Sequence, residues 1–319
     1  VTPDTILAKE AGLELGIKES IVVNDRMETS VPDIYAAGDA VQVKHYVTGN
    51  DALISLAGPA NKQGRIIADN ICGGDSRYLG SQGSSVIKVF DMTAATTGIN
   101  ETNAKKSGLE VDTVILSPMS HAGYYPGGKV MTMKVVFEKE TYRLLGAQII
   151  GYEGVDKRID VLATAIHAGL KATQLKDLDL AYAPPYSSAK DPVNMAGFMI
   201  DNIAKGTLKQ WHLEDMDKIS KDKSVVLLDV RTVGEFNRGH MDGFRNIPVD
   251  ELRERINEIE KGKPVYLICQ SGLRSYIASR ILEGNGYETY NFSGGFRFYD
   301  AVVNDRALIE RAYACGMDY

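Results

Sequence analysis

The residue whose surroundings in the sequence point most directly to chemistry is Cys269. It follows a short apolar run and begins a loop that leads into a predicted helix. The loop consists of Cys269, Gln270, Ser271, Gly272, Leu273, Arg274 and Ser275. Small residues allow backbone N–H groups to turn toward the sulfur, and the following helix adds its positive end. With the guanidinium of Arg274 near an anionic substrate, the pattern favours a thiolate, the form of cysteine that attacks sulfane sulfur.

Several separated motifs accompany this loop in the C-terminal third of the chain. They are Leu228-Asp229-Val230-Arg231, Glu235-Phe236, Gly239-His240, Asn246-Ile247-Pro248 and Gly294-Gly295. In this order they resemble a single-domain rhodanese sulfurtransferase. The resemblance implies that Cys269 carries a persulfide and that Asp229 and Arg231 order the loop. We expect His240 to order the turn after Gly239 rather than to take part in chemistry.

Sulfur transfer at Cys269 has two alternatives. The related arginine-containing phosphatases of this fold have one residue more between nucleophile and arginine than the four that separate Cys269 from Arg274. The shorter loop suits a persulfide better than a phosphate. The other alternative is an inactive domain with a merely buried strand-end cysteine, since free cysteine is among the most buried residue types.

Strands and helices alternate around the cysteine loop. The apolar runs Val225–Val230 and Val265–Cys269 and the segment Glu288–Phe292 are predicted strands, and Ser275–Leu282 is a predicted helix. Leu252, Ile256 and Ile259 are expected on one face of another helix. This pattern predicts a small parallel α/β domain over residues 212–319, preceded by a linker at Leu208–His212.

A second motif lies near the start of the chain, at Val31-Pro32-Asp33-Ile34-Tyr35-Ala36-Ala37-Gly38-Asp39. It resembles the second flavin-binding motif of the pyridine nucleotide-disulfide oxidoreductases. The resemblance implies a short strand ending at Ala37, followed by a carboxylate, Asp39, that accepts a hydrogen bond from a ribityl hydroxyl of FAD. The alternative is an ordinary strand, turn and helix with an exposed aspartate.

The helix after this motif is expected to open near Gly58 with Pro59 at its first position, and to direct its positive end at the flavin. The candidate FAD-binding residues are Gly38, Asp39, Ala57, Gly58 and Asn61. Lys62 and Arg65 on the same helix could reach coenzyme A phosphates. A solvated helix face explains these two residues at least as well.

The middle of the chain, residues 82–207, mixes strands and helices without regular alternation. Predicted strands are Val86–Phe90, Thr113–Leu116, Val130–Phe137 and Leu144–Ile150, and predicted helices are Val155–Ala168 and Val193–Ala204. An α+β domain with an antiparallel sheet is indicated. It resembles the C-terminal dimerisation domain of the same oxidoreductases, which implies a homodimer.

Tyrosines stand in this domain where many members of the superfamily have a His-Pro pair. The stretches Ala181–Asp191 and His121–Gly128 are similar to those of coenzyme A-disulfide reductases and NADH-dependent persulfide reductases. The resemblance implies tyrosines near a redox cysteine, with Tyr186 and Tyr125 as first candidates and Tyr182 and Tyr124 behind them. A phenol can hydrogen-bond or protonate a departing thiolate. Packing tyrosines with satisfied hydroxyls are the alternative.

The resemblance implies an enzyme in which NAD(P)H reduces FAD, FAD reduces a cysteine, and that cysteine cleaves a disulfide or persulfide of coenzyme A. The fold expected is multidomain, α/β and α+β, with a partial FAD-binding Rossmann-like segment over residues 1–81. The glycine-rich diphosphate motifs and the redox cysteine of the family are missing from the sequence, which suggests a piece of a longer flavoenzyme. Two alternatives remain: a module that only dimerises and carries sulfur, and a relative of NADH oxidases or peroxidases.

Composition excludes several other classes. The net charge of −6 and the absence of a basic cluster argue against nucleic acid as a partner. No stretch approaches the length of about 20 apolar residues that a membrane span requires. Three cysteines, Cys72, Cys269 and Cys315, are too few and too scattered for a disulfide framework or a zinc site, so no metal is expected and a reducing cytoplasm fits best.

Overall fold

The computed structural model of the protein describes residues 2–314, with side chains described through residue 305. The predicted end of the last domain, at residue 319, lies outside the described residues, as does Cys315. The described part contains three β-sheets, which follow one another along the chain. None of its helices combines the length and the apolar character needed to cross a membrane.

The first segment is a small sheet beside one long helix. Its elements are α1 (Ile6–Glu10), β1 (Ile21–Val22), β2 (Val41–Lys44), β3 (Asp51–Ala52) and α2 (Ala57–Ile71). Strand β1 pairs with β2 in parallel, and β2 pairs with β3 antiparallel. Met27, Val41 and Val43 form its buried core, against which side chains of α2 pack.

Two predictions for this segment are wrong in detail. Residues 34–37 do not form a strand: Tyr35 makes only an isolated bridge with Glu28, and a 3₁₀ turn follows at Gly38–Ala40. The positive φ angles of Met27 and Asp33 turn the chain on both sides of this bridge, so no longer ladder can form. Helix α2 begins at Ala57, which makes Pro59 its third residue; a proline is tolerated there because N–H groups of the first turn lack helical partners anyway.

The middle segment is an antiparallel sheet covered by helices. Its elements are β4 (Ser85–Val89), β5 (Met92–Gly98), α3 (Glu101–Lys106), β6 (Val111–Leu116), β7 (Thr132–Glu138), β8 (Leu144–Gly151), α4 (Val155–His167) and α5 (Pro192–Ala204). The strand order is β4-β5-β8-β7-β6, with every pair antiparallel. The predicted strands, helices and α+β character are confirmed.

The helix α4 buries one face against the sheet, as its apolar spacing predicts. Val155, Ile159, Leu162 and Ile166 on this face are buried. Arg158 lies among them and is also buried, so a charged residue occupies an apolar face. The helix α5 begins at Pro192 and is capped by Asp191, whose carboxylate accepts a hydrogen bond from the Val193 N–H at 3.0 Å.

The C-terminal segment is a five-stranded, fully parallel sheet. Its elements are β9 (Gln210–Trp211), α6 (Met216–Ile219), β10 (Val226–Asp229), α7 (Val233–Arg238), β11 (Arg245–Asn246), β12 (Val265–Ile268), α8 (Leu273–Glu283), β13 (Thr289–Phe292) and α9 (Gly295–Ala314). The strand order is β11-β10-β12-β13-β9, so β12 is central and Cys269 follows it at the carboxyl edge. Ligands of open parallel sheets bind at this edge. The predicted parallel α/β fold is confirmed.

Two predictions for this segment need correction. Leu208–His212 is not a free linker, because Gln210 and Trp211 form the edge strand β9; Trp211 is buried and its indole N–H donates to the Leu267 carbonyl at 3.3 Å. Leu252–Ile259 is not a regular helix but a series of turns ending in a 3₁₀ turn at Ile256–Glu258. Successive hydrogen bonds to the residue three back, such as Leu252 N–H to Val249 O, give the same apolar spacing as a helix.

The middle and C-terminal segments are joined by hydrogen bonds on both sides of β9. The Ile115 N–H on β6 donates to Ser293 Oγ at 3.1 Å, and the Gln210 side-chain amide donates to the Thr113 carbonyl at 3.2 Å. His212 Nε2 lies 3.0 Å from a carboxylate oxygen of Asp112. These contacts hold the end of β6 against the C-terminal sheet.

Candidate functional site

The sulfur of Cys269 is held by two donors at the start of α8. The Gly272 N–H lies 3.1 Å from Sγ and the Ser275 hydroxyl lies 3.2 Å from it. Gly272 has a φ of +97° and directly precedes the helix, whose positive end therefore meets the sulfur. The thiol is 1% exposed, yet it faces polar hydrogens rather than a purely apolar pocket. This environment stabilises negative charge on sulfur.

The loop carbonyls point away from the thiol. The Phe296 N–H of α9 donates to the Cys269 carbonyl at 2.8 Å, and the Arg297 N–H donates to the Gln270 carbonyl at 3.2 Å. Gly295 has a φ of +68°, and a Cβ on it would lie 2.7 Å from the Gln270 carbonyl oxygen. Glycine is therefore required where α9 meets the loop. With its carbonyls bound here, the loop is free to turn an amide toward the sulfur.

Asp229 and Arg231 form a buried pair beside the loop. Nε of Arg231 donates to Oδ1 and Oδ2 of Asp229 at 3.1 and 2.9 Å, Nη2 donates to Oδ2 at 2.6 Å, and both side chains are almost fully buried. Arg231 also donates to the Gly239 carbonyl at 2.8 Å and lies 3.4 Å from the Gln270 side-chain oxygen. It thus links the end of β10 to the second residue of the cysteine loop.

Arg274 does not present a free charge, contrary to the expectation from the sequence. Its guanidinium donates two hydrogen bonds of 2.7 Å to the carboxylate of Glu235 on α7. These hydrogen bonds, against a smaller effect of burial, lower the pKa of Glu235 from 4.5 to about 2. The net charge beside Cys269 is therefore smaller than Arg274 alone would give, and the motifs in the sequence did not predict that Glu235 pairs with Arg274.

His240 is exposed and packs on its own turn. Its ring stacks on Phe236 with centroids 3.9 Å apart, and Nδ1 lies 3.1 Å from the Phe236 carbonyl. Neither contact involves Cys269.

The residues proposed for flavin contact converge at the start of α2. Gly38, with a φ of +82°, donates its N–H to the Gln63 side chain at 2.7 Å, which fixes the 3₁₀ turn carrying Asp39 against the helix. Asp39 is exposed, and within the described residues its carboxylate has no hydrogen-bond or salt-bridge partner. No side chain caps the helix at Leu56, so the N–H groups of Ala57 and Gly58 are open to a ligand. These residues fit one end of a flavin nucleotide.

The other candidates on α2 point outward. Asn61, Lys62 and Arg65 are exposed. Lys62 lines a surface cavity together with Gly58 and Tyr46, whereas Arg65 does not. The structure therefore leaves the interpretation of Lys62 and Arg65 as a solvated helix face open.

Four tyrosines of the middle segment divide into a bonded pair and two separate residues. The hydroxyls of Tyr124 and Tyr182 lie 2.7 Å apart. This hydrogen bond raises the pKa of Tyr182. Tyr186 is 72% exposed, and Tyr125 packs edge-on against His121 with centroids 5.6 Å apart. The structure thus pairs the two tyrosines that the sequence ranked lower.

The loop that carries Tyr182 and Tyr186 is fastened by a buried ion pair. Arg158 on α4 and Asp191 at the start of α5 are joined by hydrogen bonds of 2.9 to 3.4 Å, and both are at least 97% buried. Arg158 also donates to the carbonyls of Ser120 and Tyr186, at 3.0 and 3.2 Å. It therefore connects the two tyrosine stretches. The signal in the sequence was an arginine on the apolar face of a helix.

Within the described residues, no group of three or more His, Cys, Asp or Glu side chains could hold a metal ion.

Comparison with protein families agrees with this division of the chain. Residues 1–64 match the pyridine nucleotide-disulphide oxidoreductase model, and residues 84–192 match the dimerisation domain of that family. Residues 212–301 match the rhodanese-like domain. The chain belongs to the pyridine nucleotide-disulphide oxidoreductases. In this oxidoreductase chain the loop of Cys269 lies within the rhodanese-like domain, and all four tyrosines lie within the dimerisation domain.

Solved structures and curated proteins resemble this oxidoreductase chain closely. Reduced CoADR-RHD from Bacillus anthracis is 47% identical with a TM-score of 0.92, over 96% of this chain and 55% of that one. A NAD-dependent persulfide reductase from A. fulgidus is 42% identical with a TM-score of 0.85, over 93% and 54%. A Pyrococcus furiosus protein named NAD(P)H sulfur oxidoreductase (CoA-dependent) is 39% identical over 193 residues, 60% of this chain and 43% of its own length. The chain thus spans about half the length of these relatives.

Proposed function

We propose that the protein takes part in the FAD-dependent reduction, by NAD(P)H, of coenzyme A disulfide or of coenzyme A persulfide or polysulfide, and couples it to sulfur transfer through Cys269. The observation that carries the proposal is the Cys269 sulfur between the Gly272 N–H and the Ser275 hydroxyl at the start of α8. The similar proteins named as sulfur oxidoreductase and persulfide reductase support the reductase half.

The flavin half of the site would be held by residues of the first segment. Asp39 would accept a hydrogen bond from a flavin hydroxyl, and the free N–H groups at the start of α2 would face the flavin ring. When bound, FAD supplies the electron transfer between a nicotinamide cofactor and a sulfur substrate. A flavin absorbance spectrum of the purified protein separates this proposal from a module that only dimerises and carries sulfur.

The paired tyrosines would act on the sulfur substrate. A phenol can donate a proton to a thiolate as it departs, and the hydroxyls of Tyr124 and Tyr182, 2.7 Å apart, bring one tyrosine from each of the two stretches together. We therefore place Tyr124 and Tyr182 ahead of Tyr125 and Tyr186 in this role. A role as an NADH oxidase or peroxidase is less well supported, because the stretch 182–191 contains no histidine and His121 is buried.

The middle domain, residues 82–207, would form a homodimer. The strand β4 at the edge of its sheet carries a row of exposed apolar side chains: Val86, Ile87, Val89 and the adjoining Phe90, which is 94% exposed. Exposed apolar patches of this kind mark interaction surfaces. The match to a dimerisation domain makes a second copy of the protein the expected partner. Sedimentation velocity of the wild type and of Phe90→Ser measures whether this edge contributes to dimer formation.

The test of the sulfur-transfer half is the variant Cys269→Ser. It should abolish transfer of sulfur from thiosulfate to cyanide and spare the flavin-dependent reduction of coenzyme A disulfide. Cys72→Ser is the matched control, because Cys72 is an exposed cysteine at the end of α2. Retained sulfur transfer in Cys269→Ser, or loss of both activities together, contradicts the proposal.

A further inference from the structure

A single nitrogen of Arg158 contacts both tyrosine stretches of the dimerisation domain, residues 121–128 and 181–191. Nη2 lies 3.0 Å from the Ser120 carbonyl, directly before the first stretch, and 3.2 Å from the Tyr186 carbonyl within the second. The side chain is 1% exposed, so water does not compete for these contacts. The separation of the two stretches is therefore set at this one buried nitrogen.

The rest of the guanidinium is held so that Nη2 cannot turn away. Nε of Arg158 lies 3.4 and 3.2 Å from Oδ1 and Oδ2 of Asp191, and Nη1 donates to the Gly154 carbonyl at 3.2 Å. Nη2 itself lies 2.9 Å from Oδ2 of Asp191, which completes a forked contact that arginine makes and lysine cannot. Each of the three nitrogens has an acceptor, so the plane of the guanidinium is fixed.

Gly154, one helical turn before Arg158, provides the space that this arrangement needs. It directly precedes α4 and has a φ of +70°. A Cβ at this position would collide with Nη1 of Arg158. A side chain here would push the guanidinium away from its acceptors, so glycine is required both for the backbone conformation and for the position of the arginine.

The tyrosine pair lies close in sequence to the carbonyls that Nη2 contacts. Tyr124 lies four residues after the first of these carbonyls, and Tyr182 lies four residues before the second. Another hydrogen bond joins the stretches, from the Ala122 N–H to the Ser187 carbonyl at 3.0 Å. Because the two hydroxyls are 2.7 Å apart, a displacement of either stretch by about 1 Å would break the hydrogen bond between them.

We propose that Arg158 is a positioning residue for the tyrosine pair: its buried guanidinium holds the two stretches at the separation at which the hydroxyls of Tyr124 and Tyr182 meet. The effect of this positioning on catalysis rests on the proposed reduction of coenzyme A disulfide. Arg158 does not touch the sulfur substrate itself, because its nitrogens are buried and already have acceptors. It acts on the reaction through the two phenols.

The first test measures the contact between the tyrosines and needs no catalytic activity. The full chain is labelled with ¹³C at the phenol carbon of tyrosine, and the NMR signals of the pair are assigned by their loss in Tyr124→Phe and Tyr182→Phe. In the wild type, removing either hydroxyl should shift the signal of the other tyrosine, because the two are hydrogen-bonded. In the Arg158→Lys and Gly154→Ala backgrounds this mutual shift should disappear. Gly154→Ala keeps both charges of the buried pair, so it decides the question if Arg158→Lys does not fold.

The second test measures catalysis by the flavin-containing enzyme. Arg158→Lys should lower kcat for coenzyme A disulfide reduction about tenfold or more, like the loss of one hydroxyl of the pair, and should leave the KM nearly unchanged. Adding Arg158→Lys to Tyr182→Phe should cause no further loss, because residues that act as a unit are not additive. An arginine with a separate, purely structural role would instead give losses that multiply.

Arg143→Lys is the control in the same domain. Among the described residues, the hydrogen bonds of the Arg143 guanidinium go to the Val47 carbonyl and to Glu138 rather than to either tyrosine stretch. This variant should change neither the mutual shift nor kcat.

The outcomes separate the positioning from the proposed reaction. A mutual shift that persists in both Arg158→Lys and Gly154→Ala overturns the proposal, as does a further loss of kcat in the double variant Arg158→Lys/Tyr182→Phe. If the mutual shift is lost while coenzyme A disulfide reduction is unaffected, the positioning is supported and the proposed role of the tyrosines fails.

Discussion

Arg274 and Glu235 face each other across the mouth of the cysteine loop, joined by two hydrogen bonds of 2.7 Å. Such a bidentate pair orients the guanidinium and offsets its charge at once. The charge that a thiosulfate dianion would meet beside Cys269 is therefore set by the carboxylate on α7 as much as by the arginine in the loop.

Replacing Glu235 by glutamine should leave the positive charge of Arg274 without a carboxylate to offset it. The variant Glu235→Gln keeps an acceptor for the start of α7 but removes the negative charge, so we expect the KM for thiosulfate to fall about threefold to tenfold at low salt, with a smaller effect at high salt. Steady-state sulfur transfer to cyanide measures it. Glu251→Gln, which disrupts an exposed pair with Arg255 elsewhere in the domain, is the control. An unchanged or higher KM in Glu235→Gln would show that Arg274 does not contact the donor.

The same pair predicts a pH dependence of stability. The pKa of Glu235 is lowered in the folded protein from 4.5 to about 2. A depressed pKa contributes stability above the unfolded value that is lost as pH falls toward the folded value. The difference in unfolding free energy between wild type and Glu235→Gln should thus be constant from pH 7 to 5 and shrink between pH 4.5 and 3. Urea titrations at these pH values test it; an equal difference at pH 7 and pH 3 contradicts it.

Removing the Ser275 hydroxyl should weaken catalysis at Cys269. A hydrogen bond to a charged group contributes about 1.5–3 kcal/mol, which corresponds to about a tenfold to hundredfold loss in kcat/KM for sulfur transfer in Ser275→Ala. The rate of alkylation by iodoacetamide should fall in parallel because the thiolate is less stabilised. Ser279→Ala removes a hydroxyl from the same helix that bonds only to Tyr276 O and should change neither rate by more than twofold. Equal effects of the two variants would mean that Ser275 acts through α8 rather than on the sulfur.

The tyrosine pair gives a prediction opposite to the one from the sequence, which placed Tyr186 and Tyr125 ahead of Tyr182 and Tyr124. Tyr124→Phe and Tyr182→Phe each remove one partner of the 2.7 Å hydrogen bond, and each should lower coenzyme A disulfide reduction by the flavin-containing enzyme about tenfold or more, within the range of acid catalysis. Tyr186→Phe is the matched control in the same loop and should change the rate less than twofold. Sulfur transfer to cyanide should be unaffected in all three. A large loss of coenzyme A disulfide reduction in Tyr186→Phe alone would instead favour Tyr186, as the sequence predicted.

The buried pair of Arg158 and Asp191 should matter for stability. Breaking such a pair by removing one charge costs about 3–5 kcal/mol, because the other charge stays buried without a partner. Asp191→Asn keeps a side chain that can cap α5. The decrease in its free energy of unfolding, measured by urea titration, therefore reports the removal of the charge. Asp201→Asn, which disrupts more exposed pairs with Lys176 and Lys205, should cost less than about 1 kcal/mol. Similar costs for both variants would contradict the burial argument.

The sequence was sufficient to predict elements with strong local signals. The strands β10, β12 and β13, the helix α8, and the strands β4, β6, β7 and β8 lie within a few residues of their predicted bounds, whereas β5 was not predicted. The loop after β12 was predictable because a buried strand, a cysteine and a helix follow one another directly. Local patterns were enough to predict a strand or helix wherever the apolar residues of that segment themselves determine which face is buried.

What the sequence did not reveal depends on contacts between distant residues. The pairing of Arg274 with Glu235 joins positions 39 residues apart, and that of Tyr124 with Tyr182 joins positions 58 apart. The edge strand β9 is stabilised because Trp211 packs against Phe244 and Phe292. The turns at Leu252–Ile259 repeat helical spacing without forming a helix, so periodicity alone could not distinguish them.

The strand β9 also limits how sulfur can be relayed. Only Lys205–Lys209 separate the end of α5 from this strand, and the hydrogen bonds of Ile115 and Gln210 secure both sides of the junction. A tether this short and this well fastened keeps the rhodanese-like domain beside the dimerisation domain. In the proposed sulfur transfer, the small sulfur carrier would then be the part that moves.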